Sequence, residues 1–173
     1  MSAVYRDAVP ADAAALAELG RTTFTETFGH LYSPENLAAF LENHEEERWR
    51  AQLHDPAFLV RLAEEDGRAV AYAKLGPPSL PIEVARAAIE LRQFYVLKPW
   101  QGAGISRELM DWAIGRARAT GSEELYLSVF VDNHRARRFY ARYGFEIVGR
   151  FHFMVGSHAD DELILRLDLE TRE

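Results

Sequence analysis

Gln101-Gly102-Ala103-Gly104-Ile105-Ser106 stands between an apolar run, residues 89–97, and an amphipathic helical pattern. Glycines at such a junction let the chain approach a ligand closely and reach conformations that a Cβ disfavours. The helix that follows turns its free N–H groups and positive dipole end outward. The chemistry open to this spacing is to hold a phosphate, so the ligand it implies is a phosphorylated cofactor. Glycines also build ordinary strand-to-helix turns, and the hexapeptide alone leaves both readings open. Gly102-x-Gly104-x-x-Arg107 lacks the third glycine of a dinucleotide fingerprint and comes too late in the chain for one. No P-loop pattern is present either. His152, His158, Asp160 and Asp161 lack recognised ligand spacing, so no metal is implied. With no cysteine in the chain, disulfides, thiolate zinc sites and cysteine nucleophiles are excluded.

A turn of this kind needs strands and helices to aim it, and the hydrophobic pattern supplies them. Residues 4–8 read as a short strand, and Pro10-Ala11-Asp12 then opens an alanine-rich helix with Leu16, Leu19, Thr23 and Phe24 on one face and Gly29 at its end. Ser33 followed by Pro34 has the form of a capped helix start, with Leu37, Phe40 and Leu41 as the buried stripe. A third helix is expected over 45–53, where Glu45, Glu46 and Glu47 suit a helix N-terminus and need no ligand. Residues 57–63 and 69–75 are β-capable runs joined by Asp66-Gly67, a hairpin signal, and the prolines of 76–81 make an irregular surface loop. Residues 88–97 form a central strand, 103–120 a helix closed by Gly121, and 125–131 a second strand, together a strand-helix-strand unit with a parallel pair. Asp132 or Asn133 caps a helix bearing Ala136, Phe139, Tyr140 and Tyr143, with Gly144 just past its end. Strands near 146–155 and 161–169 complete a mixed sheet.

In chain order, Phe94-Tyr95-Val96, Gln101-x-x-Gly104-x-Ser106, Val131-Asp132-Asn133 and Phe139-Tyr140-x-x-x-Gly144-Phe145 resemble the GNAT superfamily of acetyl-CoA-dependent N-acetyltransferases. The likeness covers nearly the whole chain. Within that superfamily, Thr25-Glu26-Thr27-Phe28, Ser33-Pro34-Glu35-Asn36 and Phe151-His152-Phe153-Met154-Val155-Gly156 are similar to the PaiA-like spermidine/spermine acetyltransferases. The resemblance implies a single α/β (mixed α+β) domain over residues 1–173. Its central sheet would be mixed, mostly antiparallel and six- to seven-stranded, flanked by helices, with one parallel pair around the acetyl-CoA cleft.

The same resemblance assigns roles. Backbone groups of Phe94 and Val96, on either side of Tyr95, would hydrogen-bond the pantetheine arm as an added strand does. The amides of Gln101, Gly102, Ala103, Gly104, Ile105 and Ser106 would hold the pyrophosphate, with Ser106 standing where the family usually has glycine or alanine. Asn133 would hydrogen-bond the cofactor, although its place equally suits an ordinary helix cap. Tyr140 would be the general acid, because the departing thiolate needs a proton and a phenol of pKa about 10 is roughly matched to a thiol of about 8.5. Its alternative is plain packing beside Phe139 and Tyr143. Glu90 matches a glutamate found at the start of the central strand in this superfamily. It would serve as the base through a water, since an amine of pKa about 10.4 is protonated at neutral pH. The alternative for Glu90 is an exposed strand-edge carboxylate, and His134 and His152 are reserve candidates.

The expected reaction is direct transfer from acetyl-CoA to a primary amine of a small molecule, with a polyamine as the suggested acceptor and no acyl-enzyme. Glu26, Glu35 and Glu42 would line an anionic acceptor groove or else simply solubilise the early helices. An enzyme acetylating a protein N-terminus or lysine, and a noncatalytic acyl-CoA-binding module, are the two alternatives. The net charge of -7 argues against nucleic acid as a partner. No apolar run approaches the roughly 20 residues of a bilayer span, and the N-terminus lacks the order of a secretory signal, so the expected location is cytoplasmic, away from membranes. A homodimer, common in such families, would pair the late strands.

Overall fold

A computed structural model describes residues 3–42 and 45–170. Seven strands form one sheet in the order β1-β2-β3-β4-β5-β7-β6. These are β1 (Val4–Asp7), β2 (Leu59–Glu65), β3 (Arg68–Gly76), β4 (Ala88–Val96), β5 (Glu124–Phe130), β6 (Glu146–Val155) and β7 (His158–Asp168). Every neighbouring pair is antiparallel except β4 with β5. Among the described residues five α-helices cover the sheet: α1 (Ala13–Phe28), α2 (Pro34–Leu41), α3 (Glu46–His54), α4 (Ile105–Ala119) and α5 (His134–Arg142).

Local chemistry accounts for most of these boundaries. Asp66 and Gly67 both take positive φ, 54° and 78°, which gives the β2–β3 turn the twist that antiparallel strands need. Ser33 Oγ accepts from the Asn36 N–H at 3.1 Å and Pro34 occupies the first turn of α2, as a capped start requires. Within α1, Leu16, Leu19, Thr23 and Phe24 are buried; the helix ends at Gly29, whose φ of -56° is helical rather than left-handed. In α2, Phe40 is buried, whereas Leu37 and Leu41 are half-buried against a smaller aromatic cluster.

Side-chain alternation assigns the helices to faces. Tyr72 on β3 packs edge-on against Trp49 of α3 at 5.1 Å, so α3 and its neighbour α1 cover that face. Arg61, paired in register with Ala73, lies over Trp112 of α4 at 5.8 Å, which puts α4 on the opposite face. The main core lies between these layers and includes Leu16, Leu62, Tyr72, Leu109, Met110 and Leu125, each with essentially no exposed surface.

Candidate active site

The site begins with a failure of pairing in mid-sheet. β4 and β5 are bonded only over Ala88, Ile89 and Glu90 against Glu124, Leu125 and Tyr126. Beyond that point β4 stays with β3 up to Val96, and β5 stays with β7 up to Phe130. Each therefore turns its other edge to a widening gap. A bulge explains the divergence: Lys74 pairs with Gln93 and Leu75 with Leu91, which leaves Arg92 as the extra residue that bends β4. The resulting cleft of about 980 Å³ passes through the sheet, with α4 and α5 at one mouth and α1 and α2 at the other.

On the α4–α5 side the chain is built for an anion. Gly102 and Gly104 have φ of 84° and 89°, and no atom lies within 4 Å of where a Cβ on Gly104 would sit. Glu108 N–H to Gly104 C=O, 3.2 Å, is the first bond of α4, so the amides of Ile105, Ser106 and Arg107 point out of its N-terminus. Gln101 acts as a strut: its Nε2 donates to Val96 O at 3.1 Å, and its Oε1 accepts from Arg135 Nη1 at 2.9 Å. Arg107, Arg135, Arg138 and Arg142 of α4 and α5 border the cleft here, a cationic rim on a chain of net charge -7. Sequence spacing alone does not mark these arginines, because only the fold collects them from two helices.

The opposite mouth is aromatic and acidic. Phe24, Phe28, Tyr32, Phe40, Phe130 and Phe153 wall it, with Phe24 stacked 4.1 Å from Phe40 and Phe28 edge-on to Phe130 at 6.1 Å. Asp160 and Glu162 project from β7 into this half, and Glu26 from α1, its Oε1 accepting from the Lys98 N–H at 3.1 Å. Glu35 and Glu42 lie outside the lining, exposed on and just after α2. Burial in this half-apolar setting pushes the Glu162 carboxyl up to about 7, and the negative charge of Asp160 adds to the rise.

Most of the expected site residues meet in this cleft. Phe94, Tyr95 and Val96 border it from β4, and Gln101, Gly102, Gly104 and Ser106 from the turn. Ala103 is exposed outside the lining, and the Ile105 side chain is buried in the core, so only their backbones can serve a ligand. Asn133 borders the cleft and also caps α5, its Oδ1 accepting from the Ala136 N–H at 3.3 Å. Tyr140 is 8% exposed, packs against Phe139 and Phe145 at 5.6 and 5.8 Å, and still reaches the cleft; packing and access coexist. Burial raises its phenol above the ordinary value, with Glu162 adding to the rise, and Tyr95 is raised for the same two reasons. Tyr140 from one side and Glu162 from the other thus feel each other across the gap.

Glu90 departs from expectation. Its carboxylate accepts from both the N–H (2.6 Å) and the Oγ (2.9 Å) of Ser79, in the proline-rich loop that folds over the start of β4, and it does not border the cleft. It lies inside the paired stretch of β4, before the strands part. His134 is exposed, and His152 is paired with Asp161 at 3.0 Å on the open surface. Period-two alternation puts Asp160 and Asp161 on opposite faces of β7, with His152 beside Asp161 on β6, and among the described residues no cluster of three or more His, Asp or Glu is placed to hold a metal.

A splayed parallel pair with a glycine turn at a helix N-terminus suits a phosphate-bearing ligand with an amide-bearing arm, and comparison with known proteins decides the matter. Residues 15–145 match the acetyltransferase (GNAT) family. The chain belongs to that family. An uncharacterized N-acetyltransferase of Mycobacterium tuberculosis is 32% identical over 159 residues, covering 91% of this chain and 98% of the relative. A probable spermine N(1)-acetyltransferase of Bacillus subtilis subsp. natto is 25% identical, covering 69% and 87%. The crystal structure of PaiA N-acetyltransferase from Thermoplasma acidophilum in complex with coenzyme A has the same fold, with a TM-score of 0.78 at 20% identity over 97% of this chain and 99% of that one. The protein is accordingly an acetyl-CoA-dependent N-acetyltransferase of the GNAT type, an acyltransferase. Among the described residues no helix is long and apolar enough to cross a membrane.

Proposed function

We propose that this GNAT enzyme transfers acetyl directly to a primary amine of a small cationic molecule, with Glu162 as general base and Tyr140 as general acid. The observation that carries the reading is the division of one through-sheet cleft into a cationic, amide-rich mouth and an aromatic, acidic one. Acetyl-CoA supplies a thioester to the gap. The edge of β4 that faces the gap suits its amide-bearing arm, and the Gly102–Gly104 turn suits its pyrophosphate. Glu162 takes one proton from the ammonium, leaving a neutral amine whose lone pair attacks the acetyl carbon. The carbon–sulfur bond breaks with its electron pair on sulfur. Tyr140 gives sulfur its proton and regains one from the nitrogen, so each transfer yields an amide, a free thiol and one proton on Glu162.

A phenol raised by burial keeps its proton across the alkaline range, and a carboxyl near 7 can accept one at neutral pH, so both groups suit these roles. Polyamines fit the acceptor half, since the half-buried Glu162 carboxyl and an aromatic wall suit alkylammonium groups. The β6–β7 hairpin narrows this half against α2, Ser157 N and Oγ both donating to Asn36 Oδ1 at 2.9 and 3.1 Å, which suits a small acceptor better than an extended peptide.

The test is release of CoA thiol from acetyl-CoA with spermidine, spermine, monoamines and an unblocked peptide. Turnover with the small amines is expected. Turnover with the peptide alone would overturn the acceptor class, and binding of acetyl-CoA without turnover on any amine would overturn the enzymatic reading. Activity with monoamines but not with spermidine or spermine would remove only the polyamines.

A further inference from the structure

Asp160 is a buried carboxylate that the transfer chemistry does not use. It precedes Glu162 by two residues on β7, so the two side chains leave the same face of the strand about 7 Å apart. Both border the acceptor half of the cleft. Asp160 is 5% exposed, and each of its oxygens has a partner: the Tyr32 hydroxyl donates to Oδ2, and His158 Nε2 lies 3.1 Å from Oδ1. Tyr32 is itself fixed, stacked 5.9 Å from Phe24 and edge-on to His158 at 5.3 Å. The hairpin carrying these residues is seated tightly, since a Cβ on Gly156 would come within 2.7 Å of Asn36 Cα.

The two partners fix the Asp160 carboxyl in place. Around Glu162 the structure offers Tyr95 from β4, Tyr140 from α5, Tyr32 from the segment before α2 and the Ser128 hydroxyl from β5, besides Asp160 on its own strand. Burial is the larger cause of the rise at Glu162, and Asp160 is the carboxyl group that adds to it. His158, whose side chain is 44% exposed, reaches Asp160 from the solvent side.

We propose that Asp160, held by Tyr32 and His158, is a positioning residue for acetyl transfer: its carboxylate, fixed two residues from Glu162 on the same face of β7, sets the pH range over which Glu162 can take the amine's proton. The assignment rests on Glu162 being the base. It makes the β6–β7 hairpin part of the catalytic apparatus.

The test is the pH dependence of kcat/KM between pH 5.5 and 9 with one amine, for the wild type, Asp160→Asn, His158→Gln and Glu162→Gln, with acetyl-CoA binding measured by calorimetry as the check on folding. Glu162→Gln should abolish the acidic limb, and Asp160→Asn should move it down by about one pH unit with unchanged acetyl-CoA affinity. His158→Gln keeps a neutral donor to Asp160 and leaves its carboxyl in place, so the limb should not move down. A downward shift from Asp160→Asn without one from His158→Gln is not what a merely structural contact yields. Should Asp160→Asn fail to bind acetyl-CoA, His158→Gln decides: a downward shift there overturns the proposal. A limb abolished by Glu162→Gln but unmoved by Asp160→Asn, or a raised amine KM with the limb in place, also overturns it and leaves the base assigned. A limb that survives Glu162→Gln removes the base itself.

Discussion

Replacing Glu162 by glutamine should cost activity and add stability, with a pH dependence fixed by the burial of the carboxyl. The folded protein holds this group at about 7 against an ordinary 4.5. At about 1.4 kcal/mol per pH unit, and allowing for partial exposure, ionising it is about 2 to 3 kcal/mol more costly in the folded chain than in the unfolded one. A carboxyl raised in this way leaves the fold unpenalised below pH 4.5, where it is protonated in both states. The unfolded chain then releases its proton first, and the penalty grows until the pH passes about 7. Wild type and Glu162→Gln should therefore have nearly equal urea stability at pH 4.5, and at pH 8 the variant should be the more stable by about 2 to 3 kcal/mol. Its kcat should meanwhile fall by about 10²–10⁴, the usual loss when a positioned base is removed. A stability difference that is flat between pH 4.5 and 8, or that favours the wild type at pH 8, would refute the burial argument. A variant retaining full kcat at pH 7 would refute the role.

Tyr140→Phe should bind acetyl-CoA as the wild type does and lose about 10²-fold or more in kcat, while wild-type kcat should show no fall attributable to Tyr140 up to pH 10; steady-state kinetics with calorimetry reads both. Gly104→Ala forces a Cβ onto a φ of 89°, costing about 1 kcal/mol or more, and should raise the KM for acetyl-CoA about fivefold or more in initial-rate assays with the amine KM unchanged. Asn133→Ala removes the α5 cap and should lower thermal stability by about 1 kcal/mol; a loss of acetyl-CoA affinity well beyond that would add a direct cofactor contact. Lys74, buried against Trp49 at 4.4 Å and bonded to Gln52 at 2.6 Å, is pushed down to about 7, chiefly by burial. Lys74→Met should accordingly stabilise the protein most below pH 7, and the gain should fade as the pH rises toward 10.5, as urea titrations at pH 6 and 10 would show.

Features that depend on a few consecutive residues are legible in the sequence. Asp66-Gly67 specifies its turn through left-handed preferences, Ser33-Pro34 its helix start through a cap, and Gly102 and Gly104 a turn that no Cβ-bearing residue makes easily. The parallel pairing of β4 and β5 follows from a helix standing between two apolar runs. The proposed base does not. Preferring Glu162 to Glu90 requires knowing that β5 takes β7 as its other neighbour and that Arg92 bulges, both consequences of pairing between segments far apart in sequence. Glu90 is buried, but in the zipped part of the sheet, where Ser79 satisfies it.

The bulge therefore does more than bend a strand. Without an extra residue at Arg92, β4 would keep its register on β3 and continue straight beside β5, and parallel bonds would close the gap. With it, two edges of one sheet lie open in the interior, their backbone groups available to an amide-bearing ligand and their flanking side chains divided between faces. Phe94 stacks on Phe139 of α5 at 6.0 Å, while Tyr95, one residue on, meets Tyr72 on the α3 side at 5.5 Å. Alternation along a strand thus sorts the donor to one face and the acceptor to the other. A thioester lying in the gap would be reached by Tyr140 from the α5 face and by Glu162 from the α1 face. In the proposed mechanism that opposed approach would let one group give a proton to sulfur while the other takes one from nitrogen.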